Sequence, residues 1–292
     1  MLLSELYDED LVEGPITDRL KRLAAAGVVA GGLGLGGYSA LNAPKSPEAP
    51  TTVAQTQQTS QSDTQKKIEP QKVDKKVNPN FPKGLADANK LQPNERVALF
   101  VKTVLPMITA ENAKISQDRR RLQNDIKILQ RGGKLTPDEN AWVKSMVDKY
   151  GEDNMYELLK KVDIIPPSIA IAQAAIESSW GSDPKTQSSN AFFGQKSWAK
   201  TGGVEGPYGE KYRAFDTPSQ SIAAYMTNLN THDAYDDFRD ARAQVRKSGK
   251  QITGLPLVPK LISYTDTGKE YPKKLKSIIQ GRNLDQYDIA KK

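Results

Sequence analysis

The chain has no cysteine and a single histidine, His232. Without thiols there is no disulfide, no thiolate nucleophile and no cysteine-ligated zinc. One imidazole cannot build an HExxH or His-cluster metal site. A Ser-His-Asp arrangement would have to recruit His232, and no G-x-S-x-G elbow accompanies it. His232 stands between Asn230-Thr231 and Asp233-Ala234 and reads as a turn or capping residue. No P-loop and no strand-linked G-x-G-x-x-G occurs. If the protein is an enzyme, carboxylates and tyrosines must do its chemistry, with neither metal nor cofactor. Apolar residues are also scarce, at 37% with a mean hydropathy of −0.62, so part of the chain is expected to stay unfolded. The formal charge of +7 favours anionic partners such as nucleic acid, acidic lipid or wall polymers, without choosing among them.

The 292 residues suggest one or two domains. Residues 1–22 are polar, acidic first and basic later (Arg19, Lys21, Arg22). Residues 23–44 carry no charge and are rich in Ala and Gly, long enough to cross a bilayer though weakly hydrophobic. The preceding basic residues predict a cytoplasmic N-terminus and a translocated remainder. Membrane insertion through residues 23–43 or an uncleaved export signal is the expectation, and a soluble Gly-rich segment the alternative. Residues 45–90 read as a disordered linker of Pro, Gln, Thr, Ser and Lys, 91–284 as the folded domain and 285–292 as a tail.

Within the domain, apolar residues from Val97 to Leu129 recur at helical spacing, with Pro106 expected to kink or break the helix. The run Gln117-Asp118-Arg119-Arg120-Arg121 reads as a solvated helix face. Thr136-Pro137-Asp138-Glu139 and Thr217-Pro218-Ser219-Gln220 have the form of helix starts. Further helices are expected over 155–162, 234–248, 257–263 and 270–281, and short β structure over 193–197 and 211–215. The most informative stretch is 166–181, almost wholly apolar or small, with Pro167 suited to its first turn and Gly181 to a left-handed end. Such a helix is buried on most sides, and its one carboxylate, Glu177, should have a raised pKa. That makes Glu177 a candidate general acid; the alternative is a Glu that escapes to solvent at a helix end. Glycoside hydrolysis needs a second carboxylate across a cleft. The small β-lobe that follows offers Glu205, Glu210 and Asp216. Asp216 reads as belonging to the next helix's N-terminus, and Glu210 is preferred to Glu205 because a strand edge holds a side chain more firmly than a loop.

Four stretches together resemble one family. They are Ile165-Pro166-Pro167-Ser168-Ile169-Ala170-Ile171-Ala172-Gln173-Ala174-Ala175-Ile176-Glu177-Ser178-Ser179-Trp180-Gly181, Asn190-Ala191-Phe192-Phe193-Gly194-Gln195, Tyr212 to Asp216 with Ser221 to His232, and Ser263-Tyr264-Thr265-Asp266 with Tyr271. In this order they are similar to the Bax-type and flagellar-type glucosaminidases. The resemblance implies a mainly α, lysozyme-like helical domain with a small β-lobe. It also implies cleavage of the N-acetylglucosaminyl-β-1,4-N-acetylmuramyl bond of peptidoglycan, so glycan strands are the expected partner and nucleic acid is not. Carried over, Glu177 matches the catalytic acid and Tyr264 the tyrosine lining the site, with Glu210 the second carboxylate and Glu205 in reserve. Trp180, Asn190, Phe193, Trp198 and Tyr271 are the expected substrate contacts. By residue type alone Trp180, Phe192 and Phe193 read more readily as core aromatics, and Trp198 as the better sugar platform. A muramidase, a lytic transglycosylase and an inactive wall-binding module remain alternatives. The expected setting is the cell envelope, facing the peptidoglycan, or a phage virion.

Overall fold

The computed structural model describes residues 76–197, 203–205, 211–265 and 267–289. The expected membrane segment, the linker before residue 76, Trp198 and Glu210 lie outside the described residues. The domain is mainly helical and lysozyme-like, with one two-stranded antiparallel sheet among the described residues. In chain order the helices are α1 (Lys83–Ala86), α2 (Pro93–Gln130), α3 (Pro137–Tyr150), α4 (Met155–Lys161), α5 (Pro167–Ser178) and α6 (Pro184–Ser189), then α7 (Pro218–Thr231), α8 (Asp236–Lys247) and α9 (Glu270–Gly281). Strands β1 (Val204–Glu205) and β2 (Lys211–Tyr212) fall between α6 and α7.

Helix α2 is the frame, 38 residues long and continuous through Pro106. The expected break does not occur because Pro106 is exposed, where the carbonyl it cannot bond is open to water. Order also begins earlier than residue 91: Phe81, Leu85 and Ala88 are buried in the core, and Phe81 stacks on Phe192 at 5.7 Å. Apolar contacts from the start of the domain therefore convert the end of the expected linker into folded structure. The helix starts at Thr136 and Thr217 form, Thr136 Oγ1 accepting from the Glu139 N–H at 3.2 Å and Thr217 joining a capping box with Gln220. The segment expected as helix over 257–263 forms two 3-10 turns instead, Val258–Lys260 and Ile262–Tyr264, with prolines at 256 and 259 that deny it an α-helical ladder.

Helix α5 lies at the centre, with Ser168 through Ala175 all buried. It packs against α2, α9 and the 3-10 turn Leu284–Asp288. Two polar anchors fix its entry. At the start, Pro166 offers no side-chain cap, and the orphan N–H groups are met from far along the chain. The Asp288 carboxylate accepts from Ser168 N at 2.8 Å, Ser168 Oγ at 2.7 Å and Gly254 N at 2.7 Å. A Cβ on Gly254 would lie 2.2 Å from Ser168 Oγ, so only glycine admits this approach. The expected tail is thus a clasp, its carboxyl held by these three hydrogen bonds at the helix N-terminus while burial still pushes its pKa above the ordinary range.

Just upstream, buried Asp163 accepts from Arg246 Nη2 at 2.7 Å and Nε at 3.0 Å, with Arg119 Nη1 3.5 Å away. Burial pushes this carboxyl up, but the Arg246 hydrogen bonds and the charges of Arg242 and Arg119 outweigh it, and its pKa is held below the usual range. Arg242 is fully buried and donates to the carbonyls of Lys160, Asp163 and Ile164 and to Asn230 Oδ1, and burial lowers it to about 10. Arg119 donates to the carbonyls of Leu159 and Val162, so the expected solvated face is partly wrong: this arginine points inward and ties α2 to the loop before α5.

Candidate active site

The site forms where α5 ends. The helix stops at Ser178, earlier than the expected Gly181, because Ser178 Oγ turns back to the Ala174 carbonyl at 2.6 Å and accepts from Gly181 N at 3.0 Å. Ser179, Trp180 and Gly181 then take successive positive φ values of 49°, 59° and 79°. Two of these are non-glycine residues in a conformation that costs about 1–2 kcal/mol each. Backbone strain of this kind gathers at functional sites. The left-handed turn leaves Glu177 on the last turn of a buried helix while the chain swings away into α6. Helix α6 was absent from the sequence expectation; its signal is Asp183-Pro184, an N-cap followed by a proline in the first turn, with Asp183 Oδ2 accepting from Thr186 N at 3.0 Å.

Both oxygens of Glu177 are accounted for. Tyr271 donates its hydroxyl to Oε1 at 3.4 Å, a long bond of the sort that tightens when substrate enters. Oε2 lies against Gly194, where a Cβ would come within 2.8 Å of it. Gly194 has φ +59°, so both its backbone and its missing side chain suit this approach. Burial pushes the Glu177 carboxyl above the ordinary range, and the Tyr271 hydroxyl with the charges of Lys274 and Lys185 pulls it back part of the way. Lys185 comes from α6 and is stacked over the Tyr212 ring of β2, 3.5 Å from its centroid.

Behind the carboxylate stands an aromatic and polar stack. Tyr264 lies over Tyr271 at 5.3 Å and 16°, and Phe193 over Tyr225 at 3.8 Å and 5°. Buried Gln173, one helical turn before Glu177, accepts from the Tyr225 hydroxyl at 2.6 Å and donates to the Tyr271 oxygen at 3.2 Å. Burial holds all three tyrosines, 225, 264 and 271, protonated well above their usual range.

The structure redistributes several expected roles. Glu177, Tyr271 and Tyr264 come together, but the Tyr264 hydroxyl is spent on the Phe193 carbonyl at 3.3 Å. Phe193 and Asn190 are buried and cannot touch a sugar with their side chains. Asn190 Nδ2 instead donates to the carbonyls of Phe215 and Asp216 at 3.0 and 3.1 Å, closing the loop at the foot of the β-lobe. Trp180 is half-buried, edge-on to Phe100 at 5.5 Å. Glu205 stands opposite Lys211 in the β1–β2 pair, and the edge at Lys196 bridges to Tyr212. Asp216 sits at the start of α7, its N–H donating to Gln220 Oε1 at 2.8 Å. His232 caps the next turn, Nδ1 accepting from Ala234 N at 3.1 Å. Gln173, Tyr225 and Gly194 were not singled out by sequence. Gln173 was findable, as the polar residue that shares Glu177's helix face. Gly194 and Tyr225 needed the fold. Among the described residues there is no group of three or more His, Cys, Asp or Glu that could hold a metal ion, and no helix is long and apolar enough to cross a membrane.

Comparison with known proteins agrees with this geometry. The family described as mannosyl-glycoprotein endo-beta-N-acetylglucosaminidase matches residues 152–284, which span α4 to the end of α9 and the whole Glu177 site. The protein bax of Escherichia coli (strain K12) is 35% identical over 198 residues, covering 63% of this chain and 69% of that protein. No solved structure matches. Identity at that level over more than two thirds of the relative makes this chain a member of the Bax-type glucosaminidase family of glycoside hydrolases.

Proposed function

We propose that the protein cleaves the N-acetylglucosaminyl-β-1,4-N-acetylmuramyl bond of peptidoglycan, with Glu177 as the general acid. The observation that carries this reading is the setting of Glu177: a carboxyl at the end of a buried helix, its pKa raised by burial, with one oxygen bonded and the other facing a glycine. With Tyr271 donating to Oε1, the acid proton sits on Oε2, the oxygen that the Cβ-less Gly194 lets lie against its backbone, and is given from there to the glycosidic oxygen. Protonation of that oxygen by Oε2–H breaks the C–O bond as an oxocarbenium-like centre develops on the sugar. A carboxylate from the β-lobe, Glu210 with Glu205 in reserve, then activates water or attacks the sugar. A separation of about 5–5.5 Å from Glu177 would make the enzyme retaining and about 6.5–9.5 Å inverting. Half-exposed Trp180 supplies an aromatic face for a sugar ring.

The same proposal sets the enzyme at the cell envelope, with residues 23–44 as anchor or export signal and the following segment as tether. Recovery of the chain in purified phage particles instead of the envelope would reassign it to a virion. The chemical test uses purified peptidoglycan. Wild-type protein is expected to release fragments whose new reducing ends are N-acetylglucosamine, and Glu177→Gln to lower that release by at least a hundredfold. Release undiminished in Glu177→Gln would sink the assignment of the acid. Ends of N-acetylmuramic acid or an anhydro-sugar would show a muramidase or a lytic transglycosylase instead.

A further inference from the structure

Gln173 is an anomaly in its helix. Between Ser168 and Ala175 every side chain is buried, and apart from Ser168, which Asp288 engages, Gln173 is the one polar residue. A buried primary amide is costly unless both its ends are bonded, and here both are. Tyr225 is fully buried and donates to Gln173 Oε1 at 2.6 Å. In the structure the amide oxygen faces Tyr225 and the NH2 faces Tyr271. Gln173 Nε2 then donates to the Tyr271 oxygen at 3.2 Å, which occupies a lone pair of that hydroxyl and directs its proton outward. The group lying in that direction is Glu177 Oε1, at 3.4 Å. Three donors in series, Tyr225, Gln173 and Tyr271, end on Glu177 Oε1 as acceptor, with every link pointing toward the carboxyl.

We propose that Gln173, oriented by Tyr225, is a positioning residue of the glycosidase reaction. It holds the Tyr271 hydroxyl as a donor to Oε1, so that the transferable proton stays on Oε2, the oxygen beside Gly194. The inference rests on Glu177 being the acid. It goes further in assigning a directional role to two residues that touch no substrate. Glutamate at 173 would invert the chain, since an ionised carboxylate accepts from both tyrosines and draws the Tyr271 proton away from Glu177. The amide is therefore the functional group, not merely a filler of the right size. The charged groups that also act on Glu177 are Lys274 of α9 and Lys185 of α6; neither belongs to the chain, and neither is altered by the substitutions below.

The experiment measures kcat, KM and the pH profile of peptidoglycan cleavage for Gln173→Met, Tyr225→Phe and Tyr271→Phe, with melting curves for each. Tyr225→Phe removes only a hydroxyl and keeps the stack on Phe193, so it tests the chain even where Gln173→Met folds poorly. Gln173→Met is expected to lower kcat about tenfold or more, as misdirection of a catalytic group does, with KM changed less than about twofold. Its alkaline limb should move to higher pH, because weakening the Tyr271 bond removes a contribution that opposes burial at Glu177. Tyr225→Phe should change kcat and the limb in the same direction by less. Gln173→Met and Tyr271→Phe should be non-additive when combined. Wild-type kcat and pH profile in both Gln173→Met and Tyr225→Phe, whether or not melting falls, would overturn the proposal, as would full additivity with Tyr271→Phe. Glu177→Gln is run alongside. If it is inactive while the Gln173 and Tyr225 variants are normal, this inference alone fails. If it is active, the assignment of the acid fails and this inference falls with it.

Discussion

At the scale of single residues, the site depends on what is missing as much as on what is present. Gly194 supplies space, and alanine there would need both a left-handed backbone and room occupied by Glu177 Oε2. Gly194→Ala is expected to cut turnover at least tenfold and to lower stability by about 1–2 kcal/mol, read from peptidoglycan release and from urea unfolding. Glu177 shows the opposite balance between stability and function. Its folded pKa lies above its unfolded value because burial disfavours the charge. Between the two values the folded state holds more protons, so its stability falls as pH rises through that window. Glu177→Gln should therefore be inactive yet melt at a higher temperature than wild type at neutral pH. The difference should close as the pH drops toward the ordinary glutamate value of about 4.3. An equal melting difference at every pH would show that the carboxyl is not strained by burial.

At the scale of elements, α5 is held by charges that its own sequence does not contain. The loop entering it is pinned by Asp163, on which Arg119 of α2 and Arg246 of α8 converge. Because its folded pKa is depressed, the carboxylate contributes stability above the ordinary aspartate value of about 3.9, and loses it as pH falls through the lower folded value. Asp163→Ala withdraws the carboxylate from a buried cluster of guanidinium groups and is expected to cost about 3–5 kcal/mol in urea unfolding at pH 7. That cost should shrink at the acid end. A loss under about 1 kcal/mol would mean that the carbonyl bonds of Arg119 and Arg242 hold the loop by themselves.

For the whole molecule, the clasp formed by the last described turn is the test of how far the domain extends. Asp288 joins the N-terminus of α5 to Gly254, and its carbonyl accepts from Gln251 Nε2 at 2.8 Å. Deleting residues 285–292 removes three bonds to a buried carboxylate and is expected to destabilise the domain by about 3–5 kcal/mol in chemical denaturation. A solvated tail would change stability by no more than about 0.5 kcal/mol. Activity should fall with it, because the helix released at its start is the one that presents Glu177 at its end.

Much of the architecture was legible in local chemistry. Proline after threonine opened α3 and α7, the apolar period of α2 gave a long helix, and the small, apolar composition of α5 predicted both its burial and the awkward position of Glu177. These signals are readable because each depends on a few neighbouring residues. The order of four motifs was enough to indicate the family. What the chain alone could not decide was which atoms those elements meet. Asn190 and Phe193 were substrate contacts by resemblance, yet both turn inward, as residue type alone suggested for Phe193, where their loop closes against α7. Arg119 looked solvated and reached the carbonyls before α5. The left-handed turn at Ser179 and Trp180, the Asp288 clasp and the tyrosines gathered around Gln173 all rest on contacts between segments distant in sequence. By itself the sequence determined most of the longer helices and placed one carboxylate at the end of a buried one. Only the tertiary structure decided how that carboxylate is buried, which oxygen is bonded and which is open, because those follow from side chains that meet in space and not along the chain.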